Sequence, residues 1–251
     1  MPYRVGMSRG VVLITGASAG LGEEMARQFA ALGYDLALCA RRVDRLAALR
    51  DELPGRRVVV KQLDVTDDAA VSRVFGEFAA EFGRIDRVVV NAGLGKGAPL
   101  GTGRFAANRA TAMVNFVGAL AQADAALEIF RRQRGGHLVL ISSMSALRGM
   151  RRSMTTYAAT KAGVAAIAEG VRSERIPGVD VSVIYPGYIR SEMNEHVQQK
   201  TRFMVDTPVG VRAMVAAIEK RRLKAFVPAW PWVPIGAAMR LLPLSVVRRM
   251  V

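Results

Sequence analysis

The chain has 251 residues, 51% of them hydrophobic and 23% charged, a composition that fits a globular domain and excludes disordered, collagen-like and coiled-coil proteins. Its length is sufficient for one substantial hydrophobic core, and no linker or repeat divides it. Lysine and arginine number 36 against 21 aspartate and glutamate residues, and the net charge of +15 favours anionic ligands or anionic surfaces.

Short apolar runs rich in valine, isoleucine and leucine alternate with longer segments of helical periodicity. Continuous apolar runs are typical of strands buried on both faces. The predicted strands are Val11–Thr15, Asp35–Ala40, Arg57–Leu63, Arg87–Asn91, His137–Ser142, Val179–Tyr185 and Lys224–Pro228, and the main predicted helices are Leu21–Leu32, Asp67–Phe82, Asn108–Arg132 and Thr155–Arg172. This alternation predicts a single-domain, Rossmann-like α/β fold, with a doubly wound parallel sheet, helices on both faces and a ligand site beyond the carboxyl ends of the strands.

The end of the chain departs from this alternation. We predict one domain over residues 1–251, in which 10–193 form the core, 194–223 form helices that cover the substrate, and 224–251 form the last strand and a tail. The tail combines apolar residues with two tryptophans and three arginines, Trp230, Trp232, Arg240, Arg248 and Arg249. Its prolines leave no apolar run long enough to span a membrane. Two interpretations stay open, packing on the substrate pocket or a partner subunit and peripheral contact with a membrane.

A glycine-rich turn follows the first predicted strand and opens the first helix. It consists of Thr15, Gly16, Ala17, Ser18, Ala19, Gly20, Leu21 and Gly22. Glycines allow the backbone to approach a pyrophosphate, and the helix N-terminus supplies N–H donors and positive potential. The turn predicts dinucleotide binding, although a tight strand-to-helix connection would give the same pattern.

The second predicted strand is followed by Arg41 and Arg42, at the position where a dinucleotide fold meets the adenosine ribose. An acidic residue there binds the ribose 2′-hydroxyl of NAD, whereas arginine accommodates the 2′-phosphate of NADP. With Ser18 in the glycine turn, the arginines predict that NADP(H) is preferred over NAD(H). The alternative is a solvated basic surface.

Tyr157 and Lys161 are four residues apart in a predicted helix, so their side chains share one face. A nearby ammonium group lowers the pKa of a phenol from its usual value of about 10. Tyr157 is therefore a candidate general acid or base, although this spacing also recurs by chance in helices.

Together these motifs resemble the short-chain dehydrogenase/reductase family, in its conventional-length subgroup that prefers NADP(H). The resemblance extends over residues 10–193, and further matching residues follow the third to sixth strands or lie in a helix. They are Asp64, Val65, Asn91, Ala92, Gly93, Asn115, Ile141, Ser142, Ser143, Pro186, Gly187, Ile189 and Ser191. The resemblance implies an oxidoreductase that reduces a ketone to a secondary alcohol or catalyses the reverse reaction.

The resemblance also implies residue roles. Tyr157 would donate a proton to the carbonyl oxygen, and Lys161 would bind the nicotinamide ribose and lower the pKa of the tyrosine. Ser143 would hydrogen-bond the substrate oxygen, and Asn115 would hold a water that relays protons. With Tyr157 and Lys161, the implied cofactor contacts are Gly16, Ser18, Gly20, Leu21, Gly22, Arg41, Arg42, Asp64, Val65, Asn91, Ala92, Gly93, Pro186, Gly187, Ile189 and Ser191.

Two features depart from the family pattern. The family usually has threonine where Ser191 stands, and its serine usually lies slightly closer in sequence to the tyrosine than Ser143 lies to Tyr157. Ser145 is therefore a competing candidate, and Ser142 is expected to point away from the site.

The leading hypothesis is an NADP(H)-dependent oxidoreductase acting on a hydrophobic or lipid-like carbonyl substrate. The alternative is a catalytically silent NADP(H)-binding sensor of the same fold. The substrate preference rests on the tail around Trp230 and Trp232 and on apolar residues of the segment Arg190–Thr207. The apolar residues of that segment are Met193, Val197, Phe203, Met204 and Val205.

The sequence also bears on nucleic-acid binding, metal binding, location and oligomeric state. The basic residues are scattered without a DNA- or RNA-binding motif, so no nucleic acid is predicted. Cys39 is the only cysteine, and the histidines His137 and His196 lack a zinc-binding spacing, so neither a disulfide nor a metal site is predicted. The first nine residues lack the apolar run of a signal peptide. We expect a cytoplasmic protein, in peripheral contact with a membrane if the tail binds one, and the resemblance implies a homodimer or homotetramer.

Overall fold

A seven-stranded sheet forms the centre of the computed structural model, which describes residues 8–95, 97–194 and 203–250. The strands are β1 Val11–Thr15, β2 Asp35–Ala40, β3 Val58–Gln62, β4 Arg87–Val90, β5 Gly136–Ile141, β6 Val179–Pro186 and β7 Lys224–Val227. Their order is β3-β2-β1-β4-β5-β6-β7, and every pairing is parallel. The predicted doubly wound parallel sheet is confirmed. Its strand order reverses between β1 and β4, where such folds form a ligand crevice.

Helices cover both faces of this sheet. They are α1 Gly20–Ala31, α2 Val43–Asp51, α3 Asp68–Phe82, α4 Phe105–Ala112, α5 Gly118–Gln133, α6 Met154–Ser173, α7 Thr207–Glu219, α8 Ala229–Leu241 and α9 Leu244–Met250. Local sequence explains the ends of α3: the Asp67 carboxylate accepts a hydrogen bond from the N–H of Ala70 at 2.9 Å, and Gly83 ends the helix at φ +78°.

The continuous apolar runs arise because successive strand residues face two different cores. In β1, Val11 and Leu13 belong to the core shared with α3 and α5, whereas Val12 and Ile14 belong to the core shared with α1 and α7. Because strand side chains alternate between faces, a strand with helices on both sides must be apolar at every position.

Two predictions about helices need correction. The predicted helix Asn108–Arg132 is divided into α4 and α5 by a π-helical turn, Met113–Val117. The substrate-covering helices predicted for 194–223 are also wrong in their described part, because α7 packs against α1, β6 and β7 as a helix of the sheet. Residues 195–202, which include Val197, lie outside the described residues.

One run of residues is apolar enough to be compared with a membrane helix. Phe105–Gln133 has a mean hydropathy of 1.3 over its most apolar window, but half of that window is buried within the fold. Its second half, α5, contacts α3, β4 and β5. The second half of the run is therefore a core helix of this sheet, and the first half, α4, packs on α6.

A buried polar cluster lies at the amino ends of the strands, opposite the ligand crevice. The Arg87 guanidinium donates to the Glu219 carboxylate at 2.6 Å and to Nδ1 of His137 at 3.1 Å. Nε2 of His137 lies 2.8 Å from the Ser182 hydroxyl, and the Tyr34 hydroxyl donates to Glu219. Burial, with the nearby charge of Arg87, lowers the pKa of His137 to about 3. The imidazole is therefore neutral and free to accept the arginine's hydrogen bond.

Candidate active site

The glycine turn after β1 packs tightly against the loop that follows β4. Gly16 has φ +65°, and a Cβ atom there would lie 2.9 Å from the Cα of Ala92. A Cβ on Gly22 would lie 2.4 Å from the carbonyl oxygen of Gly16. Only glycine fits either position. The residue that precedes α1 is Ala19, whose side chain cannot cap the helix, so the N–H groups of its first turn are available to an anion.

Thr15 and Asn91 lock the two loops together. The Thr15 hydroxyl accepts hydrogen bonds from the N–H groups of Asn91 at 3.0 Å and Ala92 at 3.1 Å. The Asn91 amide in turn donates to the carbonyl of Thr15 at 2.9 Å. The predicted contacts Gly16, Asn91 and Ala92 are thereby brought to one place, at the crevice between β1 and β4.

Tyr157 and Lys161 lie on the face of α6 that packs towards the end of β5. The ammonium of Lys161 is 6.0 Å from the centroid of the Tyr157 ring and donates to the carbonyl of Ile141 at 2.9 Å. Burial lowers the pKa of Lys161 to about 8. Burial also raises the pKa of Tyr157, and a hydrogen bond with Ser143 opposes part of that rise. The phenol is therefore protonated at neutral pH.

Three serines, Ser142, Ser143 and Ser145, follow β5, and each has a different hydrogen-bond partner. Ser142 donates to the carbonyl of Lys161 at 2.8 Å and so points away from the tyrosine, as predicted. Ser145 donates from both its N–H and its hydroxyl to the Ser143 oxygen, at 3.2 and 2.9 Å. Of the three serines, only Ser143 acts on Tyr157, by lowering the pKa of its phenol. The geometry therefore favours Ser143 over Ser145 as the residue next to the reacting atoms.

Asn115 sits in the π-helical turn, a feature that often marks functional positions. Its amide oxygen accepts from the N–H of Leu94 at 2.6 Å, and its amide nitrogen donates to the carbonyl of Leu94 at 2.8 Å. Gly93 lies between Asn115 and Lys161, since a Cβ there would be 3.5 Å from the amide oxygen and 3.7 Å from the ammonium. All four predicted catalytic residues thus surround the same end of the crevice.

The adenosine end carries the predicted basic and acidic residues. The Nε of Arg42 donates to the Ser18 hydroxyl at 3.4 Å. Asp64 accepts from the N–H and hydroxyl of Thr66, at 3.0 and 2.8 Å. Partial burial opposes these bonds, but with the charge of Arg41 they still lower the pKa of Asp64. Val65 is buried beside Gly118, where a Cβ would lie 2.6 Å from its carbonyl oxygen.

The segment after β6 leaves the sheet and crosses the crevice. Pro186 ends the strand, and a Cβ on Gly187 would lie 2.1 Å from the indole of Trp232, which is buried. Ile189 is buried, and the Ser191 Cβ would lie 3.4 Å from a Cβ on Gly20. The predicted contacts on both sides of the crevice are therefore adjacent.

Sequence reasoning missed Arg45 and Glu192. Arg45 follows Arg42 by three residues in α2, a helical spacing that could have indicated a shared surface. Both arginines bind Glu192, at 3.3 Å for Arg42 and 2.5 Å for Arg45. No short-range signal connects Glu192 to these arginines, because about 150 residues separate them.

Exposed apolar side chains lie on the segment that crosses the crevice and on the residues just before Val205, which pairs with Ile189 of that segment. Tyr188, Met193 and Phe203 expose 41%, 50% and 54% of their surface. The ring of Tyr188 packs edge-on against Trp232 at a centroid distance of 5.2 Å. Within residues 8–95, 97–194 and 203–250, no group of three metal-ligating side chains comes together.

Comparison with known proteins agrees with this architecture. A family model described as short chain dehydrogenase matches residues 10–202. An uncharacterized oxidoreductase of Mycobacterium tuberculosis is 49% identical over 249 residues, covering 97% of this chain and 98% of that protein. A short chain dehydrogenase from Burkholderia cenocepacia in complex with NADP is 26% identical, with a TM-score of 0.82 over 97% of this chain and 98% of that chain.

A second solved structure shares the fold at lower identity. It is a short chain dehydrogenase/reductase from Burkholderia phymatum in complex with NAD, 22% identical, with a TM-score of 0.82 over 93% of this chain and 92% of that chain. Similar structures thus hold either nicotinamide dinucleotide. With its family model matching most of the chain and its mycobacterial relative similar along nearly the whole length, the protein belongs to the short-chain dehydrogenase/reductase family of oxidoreductases.

Proposed function

We propose that this protein is an NADP(H)-dependent oxidoreductase that reduces a ketone to a secondary alcohol, or catalyses the reverse, on a hydrophobic substrate. The observation that carries the proposal is the cluster of Tyr157, Ser143, Lys161 and Asn115 at the crevice end next to the glycine turn. The nicotinamide cofactor, when bound, supplies the hydride. Every other step depends on side chains of this chain.

Tyr157 is proposed to be the general acid. Because burial raises its pKa, the phenol holds its proton at neutral pH and can donate it to a carbonyl oxygen during reduction. The Ser143 oxygen already accepts two hydrogen bonds from Ser145, so its own O–H remains to donate to the same oxygen. Two donors would then stabilise the negative charge that develops there.

Lys161 and Asn115 are proposed to support this proton transfer. The buried ammonium next to Tyr157 favours the phenolate that remains after the proton has moved. Both groups of the Asn115 amide are bound to Leu94, which fixes the side chain facing Lys161 across Gly93. The amide keeps a second lone pair on its oxygen and a second proton on its nitrogen, so Asn115 can still hold a water that returns a proton through Lys161 to Tyr157.

A preference for NADP(H) is supported by the basic adenosine end. Arg41 and Arg42 stand where the strand β2 ends, and Arg42 already bonds the Ser18 hydroxyl. Guanidinium groups bind phosphate through paired charge-assisted hydrogen bonds. A 2′-phosphate on the ribose would meet these groups, and the two residues that directly follow β2 are arginines where an acidic residue would bind the 2′-hydroxyl of NAD(H).

A panel of ketones and oxo-acyl compounds of increasing chain length, assayed with NADPH and with NADH, tests the proposal. We expect turnover with NADPH to exceed turnover with NADH by about tenfold or more, and to rise with chain length because Tyr188, Met193 and Phe203 offer apolar contact. Faster turnover with NADH would contradict the cofactor preference. Rates that are independent of chain length would contradict the hydrophobic substrate.

We also propose that the tail contacts an anionic membrane surface. The segment 220–251 contains seven lysine or arginine residues and no acidic residue. Trp230 and Leu241 expose 77% and 83% of their surface, and Val233 exposes 48% on the same face of α8 as Leu241. The opposite face, with Trp232 and Met239, is buried. A helix that is apolar on both faces, in a segment with positive charges and no acidic residue, fits an anionic lipid surface.

Flotation with phosphatidylcholine vesicles, with and without phosphatidylserine, tests this contact. We expect binding only to the anionic vesicles, and a double substitution of Trp230 and Leu241 by serine should reduce the bound fraction by about tenfold. Leu100→Ser is the matched control, because Leu100 is also exposed, by 65%, but lies outside the tail. Equal losses in both variants, no vesicle binding, or a tail that forms a dimer interface instead would contradict the proposal.

A further inference from the structure

Two guanidinium groups at the adenosine end already converge on one carboxylate of the same chain. The Glu192 carboxylate binds the guanidinium of Arg42 at 3.3 Å and that of Arg45 at 2.5 Å, while Arg42 also donates to the Ser18 hydroxyl. Ser18, Arg45 and Glu192 line one surface cavity with Leu49. Two guanidinium groups around one anion, with a hydroxyl beside one of them, are a donor set that would bind a phosphate.

Glu192 belongs to the segment that crosses the crevice from the nicotinamide side. On one side of it, Ser191 lies against Gly20 of the glycine turn. On the other side, Met193 lies against the loop after β4, because a Cβ on Gly95 would be 2.8 Å from its Cγ. The carboxylate therefore ties this segment across the path between the glycine turn and the substrate side of the crevice.

The other carboxylates of this cavity have a different partner. Glu23 and Glu52 both accept hydrogen bonds from Arg27, at 2.6 and 2.8 Å. Glu192, by contrast, bonds Arg42 and Arg45, and these bonds lower its pKa, that from Arg45 most. Its charge is thus directed at the two arginines and persists throughout the neutral pH range.

We propose that Glu192 occupies the site of the NADPH 2′-phosphate as an intramolecular competitor, and that Arg45 joins Arg42 in recognising that phosphate. The inference rests on the proposed use of NADP(H). Binding of the phosphate displaces the carboxylate and releases the segment 191–193 from the adenosine end. A cofactor without the phosphate leaves the carboxylate in place, so only NADPH couples its binding to this release.

The charge balance gives the direction of the effect. A phosphate carries more negative charge and more acceptor oxygens than a carboxylate, so it wins the exchange. The exchange nevertheless reduces the affinity for NADPH, because the free energy of the Glu192 ion pairs with Arg42 and Arg45 is lost when the phosphate binds. These pairs are about half exposed, at 44% to 46% for the three side chains, which corresponds to a loss of about three- to tenfold in affinity.

The test is a titration of the full chain with NADPH and with NADH, followed by nicotinamide fluorescence. Glu192→Gln keeps the shape of the side chain and removes its charge, so we expect it to lower Kd for NADPH about three- to tenfold and to change Kd for NADH less than about twofold. Arg45→Met should raise Kd for NADPH and leave Kd for NADH unchanged. Glu52→Gln is the matched control, because it removes a charge from the same cavity but from a residue that pairs with Arg27.

The outcomes separate this inference from the proposed function. If Arg42→Ala weakens NADPH binding but Glu192→Gln leaves it unchanged, the competitor is overturned and the NADP(H) assignment stands. Equal tightening by Glu192→Gln and Glu52→Gln, or equal tightening for both cofactors, would show a general charge effect and would also overturn it. Failure of the native chain to bind NADPH would overturn both.

Discussion

Replacement of Tyr157 by phenylalanine is expected to lower kcat for carbonyl reduction by a factor of about 10² to 10⁴, the usual contribution of a positioned general acid. The substitution removes the proton that the raised pKa of Tyr157 retains at neutral pH. The ring and its contact with the Lys161 ammonium at 6.0 Å are kept. The dissociation constant for NADPH should therefore change little, and fluorescence titration checks it beside the rate measurement.

Tyr188→Phe is the matched control for this experiment. Tyr188 is another half-buried tyrosine beside the crevice, but its ring packs on Trp232 and not on the catalytic cluster. We expect its kcat to stay within about threefold of that of the native chain, because no proton transfer is assigned to it. Equal losses in the two variants would contradict the assignment of Tyr157. NADPH binding without turnover of any carbonyl by the native chain would instead favour the silent sensor.

The second large effect concerns stability. Glu219→Ala is expected to lower the free energy of unfolding by about 3 kcal/mol, towards the lower end of the range for a broken buried ion pair because Glu219 is itself 20% exposed. The variant leaves the guanidinium of Arg87, only 6% exposed, without its carboxylate, between the rings of Phe29 and Tyr34. Urea unfolding at neutral pH measures the change.

Glu174→Ala provides the comparison, because the Arg131–Glu174 pair has a similar distance of 2.9 Å but more than half of each side chain is exposed. We expect a loss of less than about 1 kcal/mol there. If the two substitutions cost the same, burial of Arg87 would not be what makes the Glu219 pair important. The catalytic cluster lies at the other end of the sheet, so the folded Glu219→Ala protein should keep its kcat.

Much of the fold could be predicted because burial on both faces leaves a continuous apolar run for each strand. The helix α2 escaped prediction because four of its nine residues, Val43–Asp51, are charged and only Leu46 and Leu49 are buried. The π-helical turn at Asn115 escaped because it changes the backbone by one residue without interrupting the apolar pattern. Helical periodicity alone cannot distinguish a helix that packs on the sheet from one that covers the substrate. The packing of α7 on α1 makes it a helix of the sheet.

The site could be predicted where spacing along one element fixes geometry. Tyr157 and Lys161 share a helix face, and the glycine turn must follow β1 directly. The choice between Ser143 and Ser145 could not be made from spacing, because it depends on how the short turn Met144–Leu147 directs each hydroxyl. The pairing of Glu192 with Arg42 and Arg45 depends on two loops meeting in space, which has no local sequence signature.

The contact between Trp232 and Gly187 gives the chain an internal optical probe. Of its two tryptophans, Trp230 is 77% exposed and accessible to a soluble quencher such as iodide, whereas Trp232 is 5% exposed and shielded from it. The shielded indole lies against the first residues of the segment that continues to Glu192. In the presence of iodide, the remaining tryptophan emission therefore comes from Trp232. A change in this emission reports movement of that segment when a ligand enters or leaves the crevice, without an added label.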